Sequence, residues 1–416
     1  MIVSVIGLGY IGLPTAALIS SKGIKVIGVD KNKEIVKSIK EGKANAQEPG
    51  LQKIVQNSLE KKSLTVVSNP LAADVFMIAV PTPFGENNKP DLSYVKSAVK
   101  SIALVLKKGN IVILESTCPV GTTEKIIEWM REERVDISFP KYGNYGNQAD
   151  IAIAYCPERV IPGNVLNELV ENDRLIGGVT SVCSNRALKV YKFFVEAKCL
   201  LTDCRTAELA KLVENSFRDV NIAFANELSL VADKLQINVW ELIKLANHHP
   251  RVNILQPGPG VGGHCIAVDP WFIIDSAPEE SKLIHAARQV NDFKPNFVLE
   301  KINLAISKIE KNKDKIKIAC LGLSFKPDIN DLRESPALSI TQKITSMGFF
   351  EVMVVEPNIQ KLPPGLEKNS VGFFSLIDAI KYSDIIVLLV DHSEFKNIDL
   401  DLLSGKQIID TRGIWS

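Results

Sequence analysis

Three stretches of this sequence carry residue types at spacings that can do chemistry. The first is Gly7-Leu-Gly9-Tyr10-Ile11-Gly12, which follows an apolar run directly and opens a helix-like one. Glycines so spaced allow a tight turn, close approach of a pyrophosphate and close helix packing, with the anion seated on the helix N-terminus. Asp30, at the end of the next strand-like run, suits a ribose diol and repels a 2′-phosphate, so NAD is expected rather than NADP. Lys31 and Lys33 pull the other way, and a glycine turn with no ligand is the plain alternative. The second stretch runs from Gln256 through four glycines and two prolines to His264, Cys265 and Asp269. Such a loop lets backbone approach a ligand closely, and a cysteine at its end, ahead of a helix start, can act as a stabilised thiolate. The alternative is a buried structural cysteine, the reading given to the other six. The third is Lys211, Asn215, Arg218 and Asn226, which share one helix face. As pattern alone this is a solvated stripe; as chemistry it is an ammonium and an amide facing a cleft. His264-Cys265 and His248-His249 lack metal-ligand spacing, so no metal is expected.

The elements that must position these groups repeat one grammar. Ile2–Ile6 and Lys25–Val29 read as buried strands around a helix over Ile11–Ser21, a βαβ unit, and Val75–Val80 and Ile111–Leu114 continue the series. Lys317–Leu321, Val352–Val355, Ile385–Val390 and Gln407–Ile409 repeat it, and Ala73-Asp74 before a short apolar run has a counterpart in Ser383-Asp384. Between them, Thr206 to Leu235 holds no Gly or Pro and repeats Leu209, Leu212, Val213, Val220, Phe224, Leu228 and Val231 at helical spacing. A helix of that length spans ~45 Å. The fold class is therefore α/β: two Rossmann-like doubly wound domains joined by a helical middle with one long helix. The boundaries expected are 1–200, 201–305 and 315–416, with the charged stretch Lys308–Lys317 as the last linker.

Composition narrows the classes further. The chain has 416 residues, 46% hydrophobic and 23% charged, with a net charge of +1, which excludes a disordered chain and argues against a general nucleic-acid binder. No apolar run reaches the ~18 residues that span a bilayer, and the start, apolar but cut by glycines, does not read as a signal peptide. Seven scattered cysteines with no CxxC pair point to a reducing cytoplasm rather than a disulfide framework.

With GLGYIGLP in place, seven further motifs follow in order: VPTP (80–83), ESTCPVGTT (115–123), YCPERVIPGN (155–164), AELAKLVENSFR (207–218), GPGVGGHCIAVDPWF (258–272), GLSFKPDINDLRESPA (322–337) and DTRGIW (410–415). On these the chain resembles the UDP-sugar 6-dehydrogenases, relatives of UDP-glucose dehydrogenase, nearly end to end. The resemblance implies a four-electron oxidation of the sugar C6 alcohol to a carboxylate with two NAD, through a cysteine thiohemiacetal and thioester. It makes Cys265 the nucleophile, Lys211 the stabiliser of oxyanion charge with Asn215 as companion, Asp269 the residue orienting water, and Glu158 the general base. It sets Thr82, Ser116, Thr117 and Arg333 beside the NAD, with Gly7, Gly9, Tyr10, Ile11, Gly12 and Asp30. It assigns Arg159, Lys211, Asn215, Arg218, Arg251, Gly262, His264, Lys326 and Arg412 to the substrate, with Arg251 reaching the diphosphate across a homodimer interface built from the central helices. A second dinucleotide site is not expected, because the strand ending at Gly322 lacks the three-glycine pattern.

Two departures refine the substrate. UDP-glucose enzymes carry a glutamate where this chain has Pro162, and a lysine where it has Val268. With His264, these changes fit the branch acting on UDP-N-acetylhexosamines. The expected reaction makes UDP-N-acetyl-D-mannosaminuronate, for surface polysaccharide, from UDP-N-acetyl-D-mannosamine; the rival is the same oxidation of UDP-N-acetyl-D-glucosamine. More distant rivals are a two-electron hydroxyacid dehydrogenase, which needs no cysteine, and a catalytically silent nucleotide sensor.

Overall fold

A computed structural model describes residues 1–415 apart from 45–47, 86–87, 144–148, 162, 349–350 and 368–369. Pro162 therefore lies outside the described residues. Met1–Glu214 with Trp271–Ser276 form one compact unit, and Asn215–Pro270 with Ala277–Ser416 form another.

The first unit is built on eight strands: β1 (Ile2–Ile6), β2 (Lys25–Val29), β3 (Leu64–Val67), β4 (Val75–Ile78), β5 (Ile111–Leu114), β6 (Ala152–Tyr155), β7 (Arg174–Gly178) and β8 (Cys199–Asp203). Their order is β3-β2-β1-β4-β5-β6-β7-β8, so the chain reverses direction between β1 and β4, the switch point where open α/β sheets bind ligands. β4, β5 and β6 are buried along their whole length, as strands covered on both faces must be. β7 differs from the all-parallel expectation by running antiparallel to β6. An antiparallel neighbour needs no full crossover, and among the described residues the connection between the two carries only the short helix Val165–Glu171.

The second unit holds β9 (Lys317–Leu321), β10 (Glu351–Val355), β11 (Val371–Phe373), β12 (Ile385–Leu388) and β13 (Gln407–Asp410), all parallel in the order β11-β10-β9-β12-β13. The two sheets share their plan down to single hydrogen bonds. Gly7 N donates to Val29 O and Gly322 N to Val355 O, each at 2.8 Å. The Asp74/Asp384 repeat also has a cause: these carboxylates accept the first amide of the central strand, Ile2 N at 2.7 Å and Lys317 N at 3.0 Å.

The long helix runs Cys204–Lys234, and its polarity is the reverse of what periodicity suggested. Leu212 is buried, but Leu209, Val213, Phe224 and Val231 are exposed, while Asn215, Asp219, Asn226 and Ser229 are buried. The reason is the helix Lys282–Ser307, which meets it with polar groups. Arg288 donates to Asp219 at 2.7 Å, Asn291 exchanges bonds with Asp219 and Asn226, and Lys294 donates to Ser229 at 2.7 Å. A polar seam is stable inside a protein when its members satisfy one another.

At its start, the long helix supplies a cap to another element. The helix Thr122–Glu133 has no side-chain cap of its own. Glu208, fully buried, accepts from Gly121 N, Thr123 N and Thr123 Oγ1 at 2.6–2.8 Å. Glu208→Ala should strand these donors and cost about 2 kcal/mol. A thermal unfolding scan reads this as a fall of several degrees, whereas Glu208→Gln, which keeps one acceptor oxygen, should lose less.

Candidate active site

The glycine turn sits between β1 and the first helix, Gly12–Ser21. Gly7 has φ +94°, and a Cβ on it would lie 2.5 Å from Ala79 O. A Cβ on Gly12 would lie 1.8 Å from Gly7 O. Both glycines are therefore demanded by the protein's own packing. Gly9 is not: a Cβ there would meet no atom within 4 Å. Empty space above an exposed glycine, at a helix start without a side-chain cap, fits a group that arrives from outside. Tyr10 and Ile11 complete the turn, both half-buried. Asp30 is locked by Leu8 N at 2.9 Å and Asn32 N at 2.8 Å, which aims its carboxylate beside the turn. The residues present fit NAD.

Beyond β4 and β5, Thr82 Oγ1 donates to Thr117 O at 2.6 Å and Ser116 Oγ to Val80 O at 2.7 Å. These bonds tie the two loops expected around the nicotinamide. Beneath them lies a buried cluster of which the sequence singles out Glu158 alone. Glu158 pairs with Arg174 at 2.5 Å, and both are nearly inaccessible; the second Glu158 oxygen accepts from Arg159 N at 2.7 Å. Arg174 also stands over the Tyr191 ring, whose hydroxyl donates to Glu115 at 2.7 Å. Burial pushes the Glu115 carboxyl up to about 7, with Arg174 pulling it down and Glu158 pushing it up. Arg159 donates to Glu214 at 2.8 Å and to the Asp173 carbonyl. Lys211 is half-buried on the long helix, one turn before Asn215.

In the second unit, Cys265 is half-buried and stands one turn ahead of the helix Asp269–Ser276. Asp269 N donates to Cys265 O at 2.9 Å, so cysteine and aspartate share a turn as their spacing suggested. The Asp269 carboxylate is buried and accepts from Asn215 Nδ2 at 2.6 Å. Asn226, from the third pattern, accepts from Gly258 N at 2.9 Å and so anchors the loop's beginning. Three of the loop glycines are cut to fit the protein itself. A Cβ on Gly262 would meet Glu334 O at 2.5 Å, one on Gly263 (φ +83°) the Phe325 ring at 2.9 Å, and one on Gly258 the Arg412 guanidinium at 2.6 Å. His264 is exposed beside this packing.

Lys326 and Arg412 line one pocket with Pro259, Gly260, Phe325 and Asp391. Arg412 Nε is held by Asp391 at 2.8 Å, and Lys326 is exposed. The other basic candidates lie outside this pocket. The Arg333 guanidinium forks onto Asp331, and its carbonyl accepts from Gly263 N. Arg218 and Arg251 are exposed.

A glycine turn at a helix start with an acid at the end of the next strand, and a cysteine loop packed against a second parallel sheet domain, are the features of a dinucleotide-dependent dehydrogenase. The chain belongs to the UDP-glucose/GDP-mannose dehydrogenase family: residues 1–195 match its NAD binding domain, 205–293 its central domain and 319–416 its UDP binding domain. It is 58% identical to a UDP-N-acetyl-D-mannosamine dehydrogenase of Campylobacter jejuni, over 96% of this chain and 97% of that one. It is 53% identical to an NDP-N-acetyl-D-galactosaminuronic acid dehydrogenase of Ralstonia nicotianae, over 100% and 96%. A UDP-D-ManNAc dehydrogenase structure from Pyrococcus horikoshii superposes with a TM-score of 0.86 at 38% identity, covering 100% of this chain and 96% of that one.

Two outcomes are expected from this geometry. Gly9→Ala should leave the thermal midpoint unchanged and weaken NAD binding, whereas Gly12→Ala should lower the midpoint itself; NAD titration and a melting scan separate them. Glu115 is protonated more readily when folded than near its ordinary 4.5. Its stabilising contribution is therefore full below about pH 4.5 and is lost as pH rises through about 7, a loss on the order of 3 kcal/mol. Glu115→Gln removes this dependence, so the variant should gain on the unaltered protein between about pH 5 and about pH 8 in paired melting scans.

Proposed function

We propose that the protein oxidises C6 of UDP-N-acetyl-D-mannosamine to the carboxylate of UDP-N-acetyl-D-mannosaminuronate, reducing two NAD per sugar. The observation that carries this reading is the shared turn of Cys265 and Asp269, with Asn215 on the aspartate. A simple alcohol oxidation has no use for a cysteine so placed. NAD, when bound, supplies the hydride acceptor for both oxidations.

The remaining work falls to this chain's residues. The Cys265 thiolate attacks the C6 aldehyde, and the resulting thiohemiacetal loses hydride to become a thioester. The Lys211 ammonium steadies oxyanion charge as each tetrahedral centre forms. Asp269, fixed by Asn215, orients the water that cleaves the thioester. Glu158 takes that water's proton; Arg174 fixes its carboxylate in place. Lys326 and Arg412 receive the UDP, with Arg159, Arg218, Arg251, Gly262 and His264 as further substrate contacts and Arg333 beside the NAD. Cationic side chains suit a diphosphate.

The protein works as a homodimer in the cytoplasm. Phe217, Phe224 and Val231 recur every seven residues on the long helix and are 68%, 55% and 48% exposed, a stripe that a second copy would cover. No helix among the described residues is long and apolar enough to cross a membrane.

The test is NADH formed per sugar consumed, with UDP-N-acetylmannosamine, UDP-N-acetylglucosamine, UDP-N-acetylgalactosamine and UDP-glucose in turn. Two NADH per sugar with the manno substrate preferred is the expected result, and Cys265→Ser should form no uronate. Preference for the galacto substrate would favour the activity for which the Ralstonia relative is named. One NADH per sugar would overturn the cysteine relay.

A further inference from the structure

The second unit repeats the acid that follows the second strand of a dinucleotide fold. Glu356 stands after β10 as Asp30 stands after β2, and it accepts from Leu323 N at 2.8 Å and Ser324 N at 3.1 Å as Asp30 accepts from Leu8 N. Here the likeness ends, because Glu356 is buried and its Oε2 lies 3.0 Å from His392 Nε2. The ring, itself fully buried, takes the carboxylate that a ribose would need.

The other ring nitrogen fixes the proton. Asp328 N donates to His392 Nδ1 at 2.9 Å, and Asn358 Nδ2 lies 3.2 Å from the same atom. Nδ1 thus accepts from Asp328 N, which leaves Nε2 to donate to Glu356. Burial pushes the Glu356 carboxyl up, but bonds from His392, Leu323 N and Asn358 N outweigh it and hold the group below its usual range. Asp328 needs this support: its φ is +59°, a left-handed conformation that costs a non-glycine residue energy. Its carboxylate also accepts from Ser393 N and Oγ, at 2.9 and 2.6 Å. Ser324 Oγ donates to Lys326 O at 2.7 Å, closing the turn from the other side. One residue before His392, Asp391 holds Arg412.

The geometry points to His392 as a positioning residue of the nucleotide pocket: with its two neighbours it holds both cationic walls, Lys326 through the 324–328 turn and Arg412 through Asp391. The second phosphate-type turn is closed to a dinucleotide by the Glu356–His392 pair and serves instead as a platform for a nucleoside diphosphate. This rests on the reading of the Lys326/Arg412 pocket as the UDP site.

The experiment measures UDP binding by calorimetry and NAD binding by fluorescence, with thermal midpoints, for the full-length protein and two variants. His392→Leu fills the space without an acceptor for Asp328 N, and should weaken UDP roughly tenfold, the worth of one or two ordinary hydrogen bonds. His392→Asn places an amide oxygen near the Nδ1 position and should recover most of that loss; it also serves where the leucine variant does not fold. NAD affinity should be unchanged in both, and KM for the UDP-sugar should rise without a matching fall in kcat. UDP affinity equal to the unaltered protein in His392→Leu would overturn the inference. So would UDP and NAD affinities falling together, since the ring would then serve folding alone. Failure of the unaltered protein to bind UDP would overturn the pocket assignment, and this inference with it.

Discussion

Everything at the nucleotide ends of this molecule depends on a carboxylate that grips backbone amides across a strand end. Asp30 holds Leu8 N and Glu356 holds Leu323 N, so each glycine-led turn is pinned to the neighbouring strand. Backbone N–H groups leaving a central strand must find partners or be costly to bury. Once a carboxylate accepts them, the turn is rigid enough to present a helix start or a basic side chain to a ligand. At these turns the two units diverge in what is left over: Asp30 keeps room beside an open Gly9, whereas Glu356 is sealed by a histidine.

Much of this was legible because parallel sheets write themselves plainly. A strand covered on both faces is a short, continuous apolar run, so β1, β2, β5 and β9 were placed at their observed bounds. The Asp74/Asp384 repeat could be seen but not explained without the amides it serves. The shared turn of Cys265 and Asp269 was readable from a spacing of four. Arg174 is not, since a buried ion pair between a strand's first residue and a separate loop leaves no periodic mark. Glu115 belongs to the motif ESTCPVGTT, and nothing in that motif marks it for burial near Glu158. Spacing marks Asn226 only as one member of a stripe, and its hold on Gly258 depends on a fold that no pattern states.

The long helix shows why periodicity misled. The rule that apolar stripes face inward holds for a helix whose chain supplies the whole core. Here the inward face meets a neighbouring helix through Asp219, Asn226, Ser229 and their partners, and the apolar stripe is left outward. Spacing locates a stripe; it does not say which side of the protein will cover it.

The glycines of the cysteine loop carry a consequence for anyone exchanging parts between relatives. Gly258, Gly262 and Gly263 are shaped to Arg412, Phe325 and Glu334, so the loop bearing Cys265 and the final hundred residues are two halves of one moulding. A chimera that grafts the C-terminal sheet of another enzyme onto this chain would have to bring its own cysteine loop. The seam for recombination therefore does not coincide with the linker near residue 310, where composition alone would put the cut.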